Sequence, residues 1–343
     1  MGLLSVLYLV GLTCRRLIVK PKKLASKVIS VGNITLGGTG KTPAVIAIAE
    51  EAKKRGLQPC ILTRGYKGKS KGPCFVVPSP QLQAEGQGGV KICTGIDAGD
   101  EPVLLASRLK DVSVIKCADR YKGGQFAISN FILNDSGQIS NLIFILDDGF
   151  QHWALHRDID ILLIDATNPF GNEKLFPKGR LREPLSSMKR ANIIVLTKTD
   201  LADKETISLI DQKIKQYNPG APVFTASHKS VALINASGES ADVDTLKGRK
   251  IYAFSGIANG DYFRDILTAG GADIVRFNSF RDHHIYKQRD MDKIRTEAAG
   301  LDILTTEKDL VKIRELHLPE NLFALRIKFE IDSDFYDKLF NAL

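Results

Sequence analysis

The residues Thr35, Leu36, Gly37, Gly38, Thr39, Gly40, Lys41 and Thr42 carry the clearest chemistry in the chain. They fit the phosphate-binding pattern GxxxxGK[ST] at every fixed position but the first, where Thr35 stands in place of glycine. An apolar strand, Val28–Val31, leads into the loop, and an apolar helix over Pro43–Ala49 follows it. Glycines at 37, 38 and 40 allow backbone N–H groups to turn inward on phosphate oxygens at a helix N-terminus. Lys41 would reach the β- and γ-phosphates, and the Thr42 hydroxyl would bind Mg²⁺. Downstream, the apolar run Leu142–Leu146 ends in Asp147 and Asp148, the expected source of a second Mg²⁺ contact. Either carboxylate could make it, and Asp165, at the end of Ile159–Ile164, competes for the same role. The chemistry implied is nucleoside triphosphate binding.

Such a loop does not say whether the γ-phosphate goes to water or to an acceptor. Thr197-Lys-Thr-Asp200 follows an apolar strand and resembles the element whose aspartate reads guanine, which favours a GTPase or regulatory ATPase. Polar clusters that a switch protein does not require favour a small-molecule kinase: Thr63-Arg-Gly-Tyr66, Gly99-Asp-Glu-Pro102, Asp147-Asp-Gly-Phe-Gln-His152, Phe170-Gly-Asn172 with Gly179-Arg-Leu-Arg-Glu-Pro184, and Arg281-Asp-His-His284.

These residues need a scaffold that holds strand ends together. Apolar β-branched runs recur with helical stretches between them, at Lys27–Gly32, Cys60–Thr63, Val112–Lys116, Leu142–Leu146, Ile159–Ile164, Ile193–Thr197 and Val223–Ala226. Continuous rather than alternating runs fit parallel strands covered by helices on both faces. The expectation is an α/β fold of P-loop NTPase type, with a doubly wound, mostly parallel sheet. A polar stretch near Asn235–Arg249 precedes a second set, Lys250–Ser255, Ile274–Phe277, Ile303–Thr306 and Phe323–Lys328. The predicted organisation is an N-terminal segment over 1–26, a kinase core over 27–235 and a smaller α/β domain over 236–343. Pro78–Gly89 reads as an exposed loop.

Composition bounds the rest. With 43% hydrophobic residues, 25% charged residues and 13 Pro, the chain is neither disordered, collagen-like nor a disulfide scaffold. The net charge of +9 is unevenly placed: residues 1–49 contain no Asp or Glu. Met1–Thr13 is mostly apolar but short of the ~20 residues a bilayer span needs, and the cluster from Arg15 to Lys27 follows it rather than precedes it. An apolar helix beside basic residues suits the headgroup region of an anionic membrane surface. Nucleic acid is a poor partner, since no aromatic platform or recognition-helix pattern accompanies the charge, and nothing points to a protein partner. Cys14, Cys60, Cys74, Cys93 and Cys117 are odd in number and form no CxxC pair, which predicts a reducing compartment with neither a disulfide framework nor a zinc site.

Taken together, VGNITLGGTGKTP (31–43), LTRGY (62–66), GDEP (99–102), DDGFQH (147–152), GRLREP (179–184), FSGIAN (254–259), DHH (282–284) and TTEKD (305–309) resemble the tetraacyldisaccharide 4'-kinase, or lipid A 4'-kinase, family. The resemblance implies transfer of the ATP γ-phosphate to the 4'-hydroxyl of an acylated glucosamine disaccharide 1-phosphate, with Mg²⁺, at the cytoplasmic face of the inner membrane. It also implies a peripheral or monotopic attachment and a smaller second domain closing over the nucleotide. Thr197–Asp200 then loses its guanine-reading role. By resemblance Asp100 is the base that accepts the hydroxyl proton and His283 its partner, with His284 the alternative; Asp100 also reads as a helix cap. Lys41 would neutralise charge on the transferred phosphoryl group. Arg182 and Glu183 are expected to line the site, Gln151 and His152 to touch the γ-phosphate or acceptor, and Arg64 and Tyr66 to face the acceptor headgroup. His156, His228 and His317 read as structural. One departure stands out: FSGIAN is followed by Gly260, where the family pattern leads us to expect proline.

Overall fold

The computed structural model describes residues 2–77, 91–134 and 141–343; the loop expected at Pro78–Gly89 lies outside them. The elements in order are α1 (Leu3–Ile18), β1 (Lys27–Gly32), α2 (Lys41–Lys54), β2 (Gln58–Thr63), β3 (Cys74–Val76), β4 (Ile92–Cys93), α3 (Gly95–Ala98), α4 (Asp100–Arg108), β5 (Ser113–Lys116), α5 (Arg120–Asn134), β6 (Leu142–Asp147), β7 (Ile159–Asp165) and β8 (Ile193–Thr197). They continue with α6 (Lys204–Tyr217), β9 (Val223–Asn235), β10 (Ser240–Ala241), β11 (Lys250–Ser255), α7 (Gly260–Ala269), β12 (Asp273–Ser279), α8 (Gln288–Ala298), β13 (Asp302–Thr306), α9 (Glu307–Ile313), β14 (Leu322–Ile331) and α10 (Ser333–Asn341). Two compact units result: Met1–His228 with Phe329–Leu343, and Lys229–Lys328.

In the first unit the strand order is β4-β3-β5-β2-β6-β1-β7-β8-β9, parallel from β5 to β9. Both faces of the central strands are buried, which is why they read as unbroken apolar runs. Leu24, Val28, Leu62, Phe144 and Leu146 pack with Ala127 of α5 on one side. Leu162, Ile164 and Leu196 pack with Ile210 and Ile214 of α6 on the other. The register Val31↔Asp147 sets the end of β6 beside the exit of β1, so the phosphate loop and the paired carboxylates share one sheet edge. Ligands of open α/β sheets bind at that carboxyl edge.

The second unit carries parallel strands in the order β12-β11-β13-β14, with β10 antiparallel to β9. Tyr252 and Phe254 face Met291 and Ile294 of α8, while Ile251 and Ala253 face Phe263 and Leu267 of α7. That split is the two-residue period of β11. From sequence, this domain runs to the C-terminus. The structure instead returns residues 329–343 to the first unit, because Phe335 of α10 meets Phe224 edge to face at 5.5 Å and Asp337 pairs with Arg55 at 2.6 Å. The unit also begins at Lys229, within β9, earlier than the polar stretch suggested.

One expectation fails. Cys74 and Cys93 form a disulfide with Cα atoms 5.9 Å apart. Strands β3 and β4 pair side by side, with Val76 opposite Cys93, so the proximity comes from sheet pairing and not from any CxxC spacing. Cys60 and Cys117 are buried thiols, and Cys14 is exposed.

Helix α1 buries Ser5 and packs Tyr8 and Leu9 on the first unit, an i, i+3, i+4 stripe. Its outer side exposes Leu3, Leu4, Leu7 and Val10. Among the described residues no helix is long and apolar enough to cross a membrane.

Candidate active site

The phosphate loop is held in place from both ends. At its entry Thr35 bridges Leu181 in antiparallel fashion, Leu36 N–H donates to the Arg180 carbonyl at 2.7 Å, and Arg182 N–H donates to the Ile34 carbonyl at 2.7 Å. Thr35 is thus in ordinary extended pairing, a conformation that needs no glycine, and the missing first glycine of the pattern is explained. Gly37 and Gly40 do need to be glycine: their φ values are +128° and +77°. A Cβ on Gly37 would come within 2.9 Å of Arg180 Nη2. Buried Asn33 ties the loop to the start of α2, donating from Nδ2 to the Thr35 carbonyl at 2.8 Å and accepting from Lys41 Nζ at 3.3 Å.

The paired carboxylates differ in environment. Asp147 is buried at the end of β6 and accepts from the Thr63 hydroxyl at 3.1 Å. Burial, with Glu101 and Asp148 nearby, pushes its carboxyl up to about 7. Asp148 takes left-handed backbone, φ +53°, which swings it to the opposite side of the strand end. There Arg182 Nη1 reaches both of its oxygens at 2.9 Å and Lys41 Nζ lies at 3.5 Å. Desolvation opposes its charge, but Lys41 and Arg182 outweigh it and hold the carboxyl down at about 2. Asp165, the competing candidate, is ion-paired with buried Lys198 and accepts from Thr167.

These groups suit a triphosphate with its cation. Among the described residues no set of three or more His, Cys, Asp or Glu converges on a metal position. Mg²⁺ held by Thr42 and the Asp147–Asp148 pair would therefore depend on phosphate oxygens to complete its shell, as it commonly does.

Behind this layer lies another that sequence spacing does not reveal. Gln151 Nε2 donates to the Asn33 carbonyl at 2.8 Å and to Glu183 Oε1 at 2.9 Å. Glu183, expected to line the site, is buried, and both of its oxygens are taken by Arg190 at 2.8 and 2.9 Å. Burial, then Arg120 and Arg157, lower the His152 pKa to about 4. Arg120, at the start of α5, is buried, and burial lowers its own pKa against the pull of Asp147 and Asp148. Arg120 and Arg190 are single residues with no spacing to mark them, and Asn33 lies inside the 31–43 motif with no role of its own there.

The motifs Thr63–Tyr66 and Gly99–Pro102 also converge within the first unit. Gly99, φ +94°, precedes Asp100 at the start of α4, and a Cβ there would lie 2.7 Å from the Tyr66 carbonyl. The RGY and GDEP segments are thus in contact. Beneath them Lys116 is buried, donates to the Asp97 carbonyl, and leaves no room for a side chain at Gly65 or Gly68. Asp100 Oδ1 accepts from Glu101 N–H at 3.1 Å, and Tyr66 is exposed.

In the second unit the motif TTEKD secures the segment FSGIAN. Thr306 caps α9 by accepting from Asp309 N–H at 3.0 Å, and fully buried Asp309 accepts from Gly256 N–H at 2.9 Å. Asn259 caps α7 through Tyr262 N–H at 3.1 Å. A Cβ on Gly260, where proline was expected, would lie 2.8 Å from Ser279 Oγ and 3.0 Å from Ser255 Oγ, so glycine leaves both hydroxyls in place. His284 stacks on Phe280 with ring centres 4.7 Å apart and lies 3.3 Å from Asp290. His283, at φ +57°, donates its N–H to the Gly256 carbonyl at 3.2 Å.

Comparison with known proteins agrees with the resemblance in the motifs. A family model described as tetraacyldisaccharide-1-P 4'-kinase matches residues 1–343. The tetraacyldisaccharide 4'-kinase of Halothermothrix orenii is 36% identical, covering 96% of this chain and 88% of that protein. The protein of the same name from Aquifex aeolicus is 38% identical, covering 92% and 87% respectively. A crystal structure described as the "apo" form of LpxK from Aquifex aeolicus in complex with ATP superposes with a TM-score of 0.75 at 36% identity, over 99% of this chain and 97% of that one.

Proposed function

This chain belongs to the tetraacyldisaccharide 4'-kinase family, and from that premise we propose that it transfers the γ-phosphate of ATP to the 4'-hydroxyl of an acylated glucosamine disaccharide 1-phosphate in lipid A biosynthesis. The observation that carries the reading is the shared sheet edge, where the glycine loop, Lys41, Asp148 and Arg182 surround one position. In such transfers the protein works by positioning and charge neutralisation rather than by covalent chemistry.

Residue by residue, the loop amides from Gly37 to Thr42 bind the phosphates. Lys41 leaves Asp148 for the β- and γ-phosphate oxygens, and Arg182 stays on Asp148 to keep that carboxylate charged and oriented. Mg²⁺, bound by Thr42 with Asp147 and Asp148, would neutralise charge on the phosphoryl oxygens. The 4'-oxygen forms a bond to the γ-phosphorus as the bond to the bridging β,γ-oxygen breaks and ADP leaves. Asp100 accepts the hydroxyl proton. Within the second unit His284 is engaged by Asp290 and Phe280, and His283 lies 3.8 Å from Asp282, so both histidines of the motif have carboxylate neighbours of their own. Arg64 and Tyr66, in the segment touching Gly99, are assigned to the acceptor headgroup, and Gln151 and His152 to the γ-phosphate or the acceptor. Glu183 acts as a positioning residue through Gln151.

Residence at the cytoplasmic face of the inner membrane is supported by α1, whose exposed leucines adjoin Arg15 and Arg16. Each basic side chain near an anionic leaflet contributes about 1 kcal/mol.

The test is transfer of labelled γ-phosphate from ATP or GTP to tetraacyldisaccharide 1-phosphate in mixed micelles, with Lys41→Ala and Asp100→Ala alongside. Label entering the lipid from ATP and lost in both variants supports the proposal. Label released only as free phosphate, with GTP preferred, overturns it and returns Asp200 to the base-reading role.

A further inference from the structure

A family that uses ATP has no need of a guanine-reading element, yet Thr197–Lys198 is among the most constrained segments of the first unit. The Thr197 hydroxyl, at the end of β8, has the Thr39 carbonyl as its nearer acceptor at 3.2 Å, with the Ile164 carbonyl at 3.4 Å. Lys198 takes left-handed backbone, φ +58°, a conformation that costs a non-glycine residue about 1–2 kcal/mol. That turn sends its side chain inward, where it is 2% exposed. Its ammonium donates to the Gly38 carbonyl at 2.9 Å and is ion-paired with Asp165 at the end of β7. Asp165 is in turn fixed by the Thr167 N–H at 3.0 Å and hydroxyl at 2.6 Å. On β9, His228 closes the same wall: a Cβ on Gly40 would lie 2.9 Å from its Nε2.

A trans peptide is planar, so the carbonyl of one residue and the N–H of the next point in opposite directions. Lys198 draws the Gly38 carbonyl toward β8, so the Thr39 N–H faces the other way. Thr197 does the same to the Thr39 carbonyl, and so aims the Gly40 N–H. Two consecutive donors of the loop are therefore oriented by side chains that stand behind it. Burying a lysine costs several kcal/mol unless it is paired, and Asp165 supplies the pair.

We infer that Thr197 and Lys198, with Asp165 steadying Lys198, are positioning residues of the nucleotide site: they set the affinity for the triphosphate by orienting loop amides, without contacting the nucleotide. The inference rests on the proposed role of the loop as the ATP site.

The test uses the full chain, with Thr197→Val and Lys198→Met. ATP dissociation constants are measured by titration calorimetry, KM for ATP and for lipid acceptor in micelles, and Tm without nucleotide. Thr197→Val, which keeps the side chain's shape, should weaken ATP about fivefold, as expected for one lost hydrogen bond, and leave the acceptor KM and Tm near wild type. Lys198→Met should weaken ATP more, by at least tenfold; if it does not fold, Thr197→Val alone decides. Wild-type ATP affinity in Thr197→Val overturns the inference, as does a fall in Tm with ATP and acceptor KM rising equally. A wild type that binds no ATP removes the premise itself, so the two failures are told apart.

Discussion

Arg190 offers the sharpest test of how the site is supported. Its guanidinium forks onto buried Glu183 at 2.8 and 2.9 Å, donates to the Phe150 carbonyl at 3.2 Å, and lies 4.3 Å over the Phe150 ring. The two side chains are 12% and 3% exposed, so solvent screens the pair little. Arg190→Met leaves Glu183 as a buried carboxylate without its counter-charge, which costs about 3–5 kcal/mol. The lost hydrogen bond and ring contact add about 1–2 kcal/mol, partly offset by methionine packing on Phe150. A net loss of about 4 kcal/mol in a unit of this size corresponds to a fall in Tm of roughly 8–16 °C. If the unpaired charge dominates, Glu183→Gln placed in the Arg190→Met background should recover about half of that loss. Thermal unfolding of the four proteins of this cycle, followed by circular dichroism at neutral pH, reads the coupling directly. A loss below about 1 kcal/mol in Arg190→Met, or a double variant less stable than the single, would refute the reasoning.

Two further outcomes follow from the same geometry. Burial, reinforced by Lys198, lowers the His228 pKa to about 4 from an ordinary 6.5, so its contribution to stability is present above pH 6.5 and lost as pH falls through 4. His228→Gln should flatten the decline in urea-unfolding free energy over that window by up to about 3 kcal/mol, and an unchanged slope would contradict the assignment. On α1, Leu4 and Leu7 are 66% and 58% exposed, and replacing both by Asp should abolish co-sedimentation with phosphatidylglycerol vesicles while leaving Tm unchanged. Undiminished vesicle binding would remove this helix from the membrane account.

Much of the first unit could be read from the chain because its chemistry occupies consecutive residues and its strands are buried on both faces. The loop from Thr35 to Thr42 declares itself by spacing, and Lys27–Gly32 and Ile193–Thr197 were legible to the residue as apolar runs. Strands β3, β4 and β10, of two or three residues, are too short to show any period. The Cys74–Cys93 bridge and the return of α10 depend on contacts between segments far apart in sequence, the second through Arg55 and Asp337. The supporting layer was hidden for a related reason. Arg190 and Lys198 act through partners 7 and 160 positions away, and no local pattern announces such pairs. The DDGFQH and GRLREP motifs contain all these residues, but only the structure separates Arg182, on Asp148, from Glu183, held behind it by Arg190.

The central claim concerns one hydroxyl on one acceptor. Tetraacyldisaccharide 1-phosphate would be incubated with the wild-type protein, ATP and Mg²⁺, and the isolated lipid product examined by ³¹P and ¹H-correlated NMR. The account predicts a second phosphomonoester, coupled to the proton at carbon 4', appearing in step with ADP and absent with Lys41→Ala. A product phosphorylated elsewhere, or ADP formed with no change in the lipid, would contradict it.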